Sequence, residues 1–313
     1  MRDSSSSTGP ATRVFVAICV IAAPWLWFGV RWIGGPMDIV AVALPAVGVL
    51  ALIVLGTVAA IRRRLLPLLA GISIFLMCAL ATVAPRIPRH DPAPAIPIRI
   101  AVANVYDQNE TPNDAAAALV DRDVDVLAAV EMKSGFWERL TLGSDLPYSV
   151  KDDELGVLSR YPVAELSQSG LSKNRLMRVR VDVPGAPFVL YLVHLLNPFH
   201  DSSSFSDQRS FIRSIEDAVA QEHRPVVIAG DFNMSDRSEN YRILDTSFVD
   251  AMREGRAPAS TYFGGLWPAL LVRIDHVFVS PSWCADDGST FGVPGSDHHG
   301  IQVTVGPCPP ETA

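Results

Sequence analysis

The sequence predicts an α/β domain of mixed β-sheets covered by helices, preceded by three transmembrane helices. Two observations carry this prediction. Residues up to about Ala84 are almost continuously apolar. From Ile98 onward, short β-branched runs alternate with stretches of helical periodicity, and some runs are joined as hairpins, which implies mixed rather than purely parallel sheets.

The membrane region, residues 1–84, opens with a Ser4–Ser7 run expected to be disordered. Val14–Val30, Ile39–Ile61 and Leu65–Ala84 each approach the ~20 residues that cross a bilayer. Two further spans follow the first directly, and no clear small-residue cleavage site intervenes, so it reads as a span and not as a signal peptide. Arg2, Arg13 and Arg62-Arg63-Arg64 fall on one side, and Arg31, Arg86 and Arg89 on the other. The positive-inside bias then puts the N-terminus in the cytoplasm, everything after Ala84 outside, and Trp25, Trp27 and Trp32 near the outer interface. Cys19 and Cys78 lie within spans and read as small hydrophobes.

Residues 85–97, PRIPRHDPAPAIP, lack periodicity and read as a semi-rigid linker holding the domain off the membrane. The domain occupies 98–306, with a tail at 307–313. Its elements in order are a strand Ile98–Ala103, a helix Asp114–Asp121, a strand Val124–Val130 and a short strand Gly156–Ser159. A hairpin of Leu176–Val183 and Phe188–Val193 follows around Pro184-Gly185. Asp207–Glu222 is an amphipathic helix with Phe211, Ile215 and Val219 at helical spacing. Val226–Ala229, Arg273–Val279 and Ile301–Val305 complete the strands. Cys284 and Cys308 each flank one of the last two strands, a pair that an oxidising compartment permits to join.

The chemistry gathers at strand ends. Gly230-Asp231-Phe232-Asn233 follows the run Val226–Ala229, so a carboxylate and an amide stand at the edge where α/β sheets carry their sites. Asn104, Glu131 and His194 each end a strand, Asp275 begins within one, and Asp297-His298 precedes the last. Burying such groups without a role would leave charges unpaired at several kcal/mol each. A divalent ion removes that cost: the oxygen donors of Glu131 and Asp231 suit Mg²⁺ or Mn²⁺. Without a Cys cluster or a His-x-x-x-His, a dedicated zinc site is not expected. His194 and His298 beside such a metal are placed for acid–base work.

VANVYD, VLAAVEM, GVLSRYP, LVHLLN, VIAGDFNMS, RIDHVFVS and SDHHGIQV resemble, in order, the motifs of the endonuclease/exonuclease/phosphatase superfamily. The resemblance runs from about Ile98 to Val305 and implies a four-layer α/β sandwich with two mixed sheets inside. It further implies that Glu131 binds the metal, with Asn104 helping to hold metal or phosphate and Asp297 supporting the metal site. Asp231 would orient or deprotonate the attacking water, and Asn233 would hydrogen-bond the phosphate. His298, oriented by Asp275, would act on nucleophile or phosphate; His194 would contact a phosphate oxygen or protonate the leaving group. Val130 departs from the family pattern, which commonly has Gln there, and His299 has no matched role and reads as a surface histidine.

Substrate class follows from charge and anchor. Residues 85–313 carry 20 Lys+Arg against 31 Asp+Glu, a poor balance for gripping a nucleic-acid backbone. A local groove of Arg175, Arg178 and Arg180 would be needed, and these read more simply as a solvated strand face. Nuclease activity is therefore the less favoured reading. Three spans with an external domain of this superfamily resemble the VanJ-type teicoplanin-resistance membrane proteins. That resemblance implies hydrolysis of a lipid diphosphate, undecaprenyl diphosphate, presented at the membrane. Alternatives are an extracytoplasmic nuclease, a phospholipid or sphingolipid phosphodiesterase, or an inactive membrane-anchored binding protein. No feature identifies a protein partner.

Overall fold

The computed structural model describes residues 10–30, 34–89, 93–167, 175–198, 205–258, 260–264 and 270–310. Arg2, the Ser4–Ser7 run, Arg31 and Trp32 lie outside the described residues. The chain divides into two units, Met1–Ala84 and Pro85–Ala313.

The first unit is helical: α1 (Pro10–Val30), α2 (Pro36–Arg62) and α3 (Leu65–Val83). Helices α2 and α3 approach closely because small residues face each other; a Cβ on Gly48 would lie 2.8 Å from the Cys78 Cβ. Trp25 donates its indole N–H to Ser73 Oγ at 3.0 Å, tying α1 to α3. Two helices, Met37–Arg62 and Leu65–Arg86, are long and apolar enough to cross a membrane. Large side chains such as Ile53 and Leu65 remain exposed on them, unlike those of a core helix. The first expected span is also helical, but its apolar stretch, Val14–Gly29, is shorter. The described residues thus support two spanning helices and not the expected three.

The second unit is a layered α/β sandwich. One sheet has the order β11-β12-β1-β2-β4-β3, from Trp283–Gly292 (β11), His299–Pro307 (β12), Ile98–Asn104 (β1), Val126–Val130 (β2), Leu155–Ser159 (β4) and Tyr148–Asp152 (β3). The other has the order β5-β6-β7-β8-β10-β9, from Val163–Glu165 (β5), Leu176–Val181 (β6), Phe188–His194 (β7), Val226–Asp231 (β8), Asp275–Val279 (β10) and Val249–Asp250 (β9). Both sheets are mixed: β1 runs parallel to β2 and β7 to β8, while the other pairs are antiparallel.

Strand alternation builds the layers. Ile98, Ile100 and Val102 point into the core between the sheets with Leu190, Leu192, Val227 and Ala229. Ala101 and Ala103 face the other way, against α4 (Pro112–Val120) and α5 (Phe136–Gly143). Val189, Tyr191, Val226 and Ile228 face α6 (Phe205–Val219) and α7 (Glu239–Ser247) on the opposite side. A last short helix, α8 (Ala251–Glu254), follows β9.

Sequence periodicity missed β3, β5, β9 and β11, along with α5, α7 and α8. β11 shows why. WCADDGSTFG alternates poorly, is half-exposed beyond its first three residues, and carries a register shift between Asp286 and Ser289. Cys284 and Cys308 form a disulfide that clamps β11 to the end of β12. The described linker residues are also not a free spacer: the Ala95 N–H donates to the Pro307 carbonyl at 2.8 Å, and Ile96 packs on the core.

Candidate active site

The site lies where the inward-facing rows of the two sheets reach their ends. Asn104, His194 and Asp231 keep the parity of the core residues preceding them on their strands, and Asp275 that of Val277 and Val279, which follow it. Register then aligns three of them, since His194 stands beside Asp231 across β7 and β8, and Asp231 beside Asp275 across β8 and β10. Gly230 makes this possible. Its φ is 142°, and a Cβ there would fall 1.9 Å from the Val193 carbonyl oxygen. Any larger residue would push β7 and β8 apart.

Glu131 breaks the alternation. Following inward-facing Val130, it would face away from the cleft, but its left-handed φ of 55° turns the chain. Its carboxylate then accepts the Asn104 amide at 2.8 Å and lies 2.8 Å from His194 Nε2. A positive φ at a non-glycine residue costs about 1–3 kcal/mol and persists only where its surroundings enforce it. Asn104 donates also to Asp231 Oδ2 at 3.1 Å, so one amide joins the edges of both sheets. Its own oxygen accepts the Tyr106 N–H, which makes Asn104 a support for Glu131 in this arrangement.

His194 sits between two carboxylates, with Nδ1 3.0 Å from Glu154 Oε1. Asp231 accepts the Asn233 backbone N–H at 2.8 Å, and the Asn233 side-chain amide donates to the Leu195 carbonyl at 2.9 Å. His298 Nδ1 is 2.9 Å from Asp275 Oδ2, and its Nε2 is 3.8 Å from Asp231 Oδ2. The Tyr262 ring packs edge-on against the His298 imidazole at 5.0 Å. Asp297 is not among the clustered ligand atoms, though its charge acts on His298. Its carboxylate bonds the Tyr262 hydroxyl, which burial and that carboxylate push up to about 12. His299 stacks on Phe263 at 4.0 Å.

Burial opposes ionisation of Glu131, yet the His194 contact and the Asn104 amide outweigh it and hold the carboxyl at about 2. Burial likewise opposes the His194 imidazolium, and Glu131 with Glu154 overcomes it, to about 10. His298 reaches about 10 against its burial through the charges of Asp275 and Asp231. Asp231 moves the other way. Burial first, and the like charges of Asp275 and Glu131, outweigh the opposing pull of His298 and His194 and raise it to about 6.

The donor set fits a hard divalent cation. Ligand atoms of Glu131, His194 and Asp231 lie within 4.8 Å of one another, as do those of Asp231, Asp275 and His298. The Glu131 side chain is 19% exposed while that of Asp231 is 1%, so the first group opens to solvent and leaves room for metal-bound waters.

Residues 101–298 match the Endonuclease/Exonuclease/phosphatase family. The chain belongs to that family. Its members are metal-dependent hydrolases, and the motif residues of this endonuclease/exonuclease/phosphatase domain converge as described. A humanized TDP2 from D. rerio is similar in structure, with 20% identity, a TM-score of 0.56, and coverage of 67% of this chain and 98% of that one. A mutant beta toxin from Staphylococcus aureus with bound magnesium ions is similar at 14% identity and TM-score 0.52, covering 66% and 99%. An endonuclease/exonuclease/phosphatase family protein from Leptotrichia buccalis is similar at 17% identity and TM-score 0.52, covering 66% and 99%. At these identities the likeness is one of fold. No curated protein matches the chain.

Glu154 and Tyr262 escaped sequence reading. Glu154 follows Asp152-Asp153 at a hairpin tip and looks like turn polarity; Tyr262 lies in a stretch without periodicity. The GVLSRYP motif serves the opposite end of the sheet. Ser159 pairs with Val126 at the start of β2, and Arg160 Nε donates to Asp125 at 3.0 Å.

Proposed function

We propose that this protein is a membrane-anchored, divalent-metal-dependent phosphoesterase acting outside the cytoplasm on a lipid diphosphate such as undecaprenyl diphosphate. The observation that carries the phosphoester chemistry is the convergence of Glu131, His194, Asp231, Asp275 and His298 into two overlapping ligand groups where the ends of the two sheets meet. A Mg²⁺ or Mn²⁺ ion held by Glu131 would supply positive charge to the phosphate oxygens.

The chain's own groups divide the remaining roles. Asp231, with its raised pKa, is suited to accept a proton from the attacking water. His298, held by Asp275 at Nδ1, presents Nε2 beside that carboxylate, where it orients the water or neutralises a phosphate oxygen. His194, protonated between Glu131 and Glu154, can give a proton to the leaving phosphate. Asn233, two residues past β8, would hydrogen-bond the phosphate.

Two features support the lipid over the nucleic acid. The apolar helices would confine the domain near a leaflet and raise the effective concentration of a lipid substrate. The arginines nearest to a basic groove are engaged: Arg178 with Glu222 at 2.6 Å and Arg180 with Asp182 at 3.0 Å. The Cys284–Cys308 disulfide suits an extracytoplasmic location. On this reading the protein would contribute to teicoplanin resistance.

The test offers the purified protein undecaprenyl diphosphate in vesicles, sphingomyelin vesicles and plasmid DNA, each with and without Mg²⁺. Metal-dependent phosphate release from the diphosphate is the expected outcome. Faster cleavage of DNA or sphingomyelin would replace the substrate, and turnover that survives saturating chelator would end the metal reading.

A further inference from the structure

The stretch after the membrane helices reads from sequence as a spacer, yet its first arginine is built into the hydrolase unit. Arg86 lies three residues past Val83, and its side chain is 12% exposed. Its Nε donates to Asp236 Oδ2 at 2.6 Å, and its Nη2 donates to the Leu271 carbonyl at 2.6 Å. Asp236 is fully buried and also faces Arg237 Nε at 3.7 Å and Arg273 Nε at 3.6 Å. Arg237 Nη2 reaches the Leu270 and Leu271 carbonyls at 3.1 and 3.3 Å.

These contacts bridge two loops that end in different halves of the site. Asp236 belongs to the loop leaving Asp231 and Asn233. Leu271 belongs to the loop that enters Asp275, and it holds a left-handed φ of 52°, a conformation that needs external support. The next carbonyl, that of Val272, accepts the N–H groups of Thr261 and Tyr262. Thr261 Oγ1 accepts the Asp275 N–H at 3.2 Å, and Tyr262 bridges to His298 by backbone while its ring packs on the imidazole. A continuous set of bonded groups thus runs from Arg86 to the Asp275–His298 pair on one side and toward Asp231 on the other.

We infer that Arg86 is a positioning residue that braces the Asp231 and His298 halves of the site against each other, so that the segment following the membrane helices belongs to the catalytic apparatus. This rests on the reading of the site as a phosphoester-hydrolysing centre. Arg89 supplies an internal control. It too binds the domain, through Asp245 at 2.9 Å and Glu254 at 2.7 Å, but neither partner belongs to the two loops.

The experiment compares full-length wild type, Arg86→Ala, Arg86→Lys and Arg89→Ala in detergent micelles. It reads kcat and KM on bis(p-nitrophenyl) phosphate with Mg²⁺, and amide hydrogen exchange in peptides covering residues 232–238, 270–275 and 188–193. Arg86→Ala should lower kcat by about tenfold or more, the scale of a small misplacement of reacting groups, with KM changed less than about threefold. Exchange should rise in the two loops and stay slow in β7. Arg86→Lys keeps the charge but loses the two-pronged contact, and should recover part of kcat. Arg89→Ala should stay within about twofold of wild type in kcat, because it leaves both loops braced. Unchanged loop exchange in Arg86→Ala, or equal losses in Arg86→Ala and Arg89→Ala, would overturn the inference. If Arg86→Ala also loosens β7, Arg86→Lys decides, and wild-type kcat with wild-type loop exchange in that variant overturns it. A wild type inactive on every phosphoester would remove the functional reading, while the exchange data would still decide the brace.

Discussion

Replacing Asp236 with asparagine should destabilise the hydrolase unit in a way that fades with acid. Asp236 is wholly buried; desolvation works against its charge, but Arg86, Arg273 and Arg237 together hold its carboxyl at about 2 against an ordinary 3.8. A pKa lowered in the folded state contributes stability that is present above the unfolded pKa and lost as pH falls through the folded one. Here that window runs from about pH 4 down to about pH 2, and the depression is worth about 2 kcal/mol at neutral pH. The substitution should cost more, about 3–5 kcal/mol, because it also leaves the arginines without their shared counter-charge. Urea unfolding of the full-length protein in detergent, followed by tryptophan fluorescence, reads the effect. Trp283 reports the core, being 2% exposed and 5.3 Å from Phe188. The midpoint at pH 7 should fall by roughly 1–2 M. The gap between variant and wild type should shrink by about 2 kcal/mol between pH 7 and pH 2. Equal midpoints at pH 7, or a gap independent of pH, would refute the reasoning.

Glu131→Gln keeps the shape of the side chain but removes the charge of the most open carboxylate in the two ligand groups, so it should abolish turnover and weaken Mn²⁺ binding measured by electron paramagnetic resonance. Unchanged Mn²⁺ affinity would remove Glu131 from the metal site. His298→Ala should lower kcat on the order of 10²–10⁴-fold, the scale of a lost acid or base, and a loss below about threefold would make the residue structural. Asp275→Asn removes the strongest group raising His298, so the imidazole should titrate lower and the alkaline limb of the pH–rate profile should move to lower pH. An alkaline phosphatase fused after Gly306 should be active and one fused after Arg64 silent; the reverse pattern would place the domain in the cytoplasm.

The sequence by itself determined the apolar helices, the α/β class and the strand-end residues. Each rests on local signals: hydropathy over a span, alternation along a strand, and a polar residue where alternation stops. Those signals located Asn104, Glu131, His194, Asp231 and Asp275 without any knowledge of their neighbours. Where edge strands are polar, as in β11, the local signal failed. Only the tertiary structure decided which of these residues meet. Asn104 reaches Asp231 across 127 residues and Arg86 reaches Asp236 across 150, and no periodicity encodes such pairings. Stacking the two sheets and setting the register of β7, β8 and β10 brought the carboxylates and imidazoles within bonding distance. The same packing added Glu154 and Tyr262, and drew Arg86 from an apparent linker into the buried ion cluster. Folding excludes water from this cluster, which strengthens the attraction between its charges and makes leaving any one of them unpaired costly.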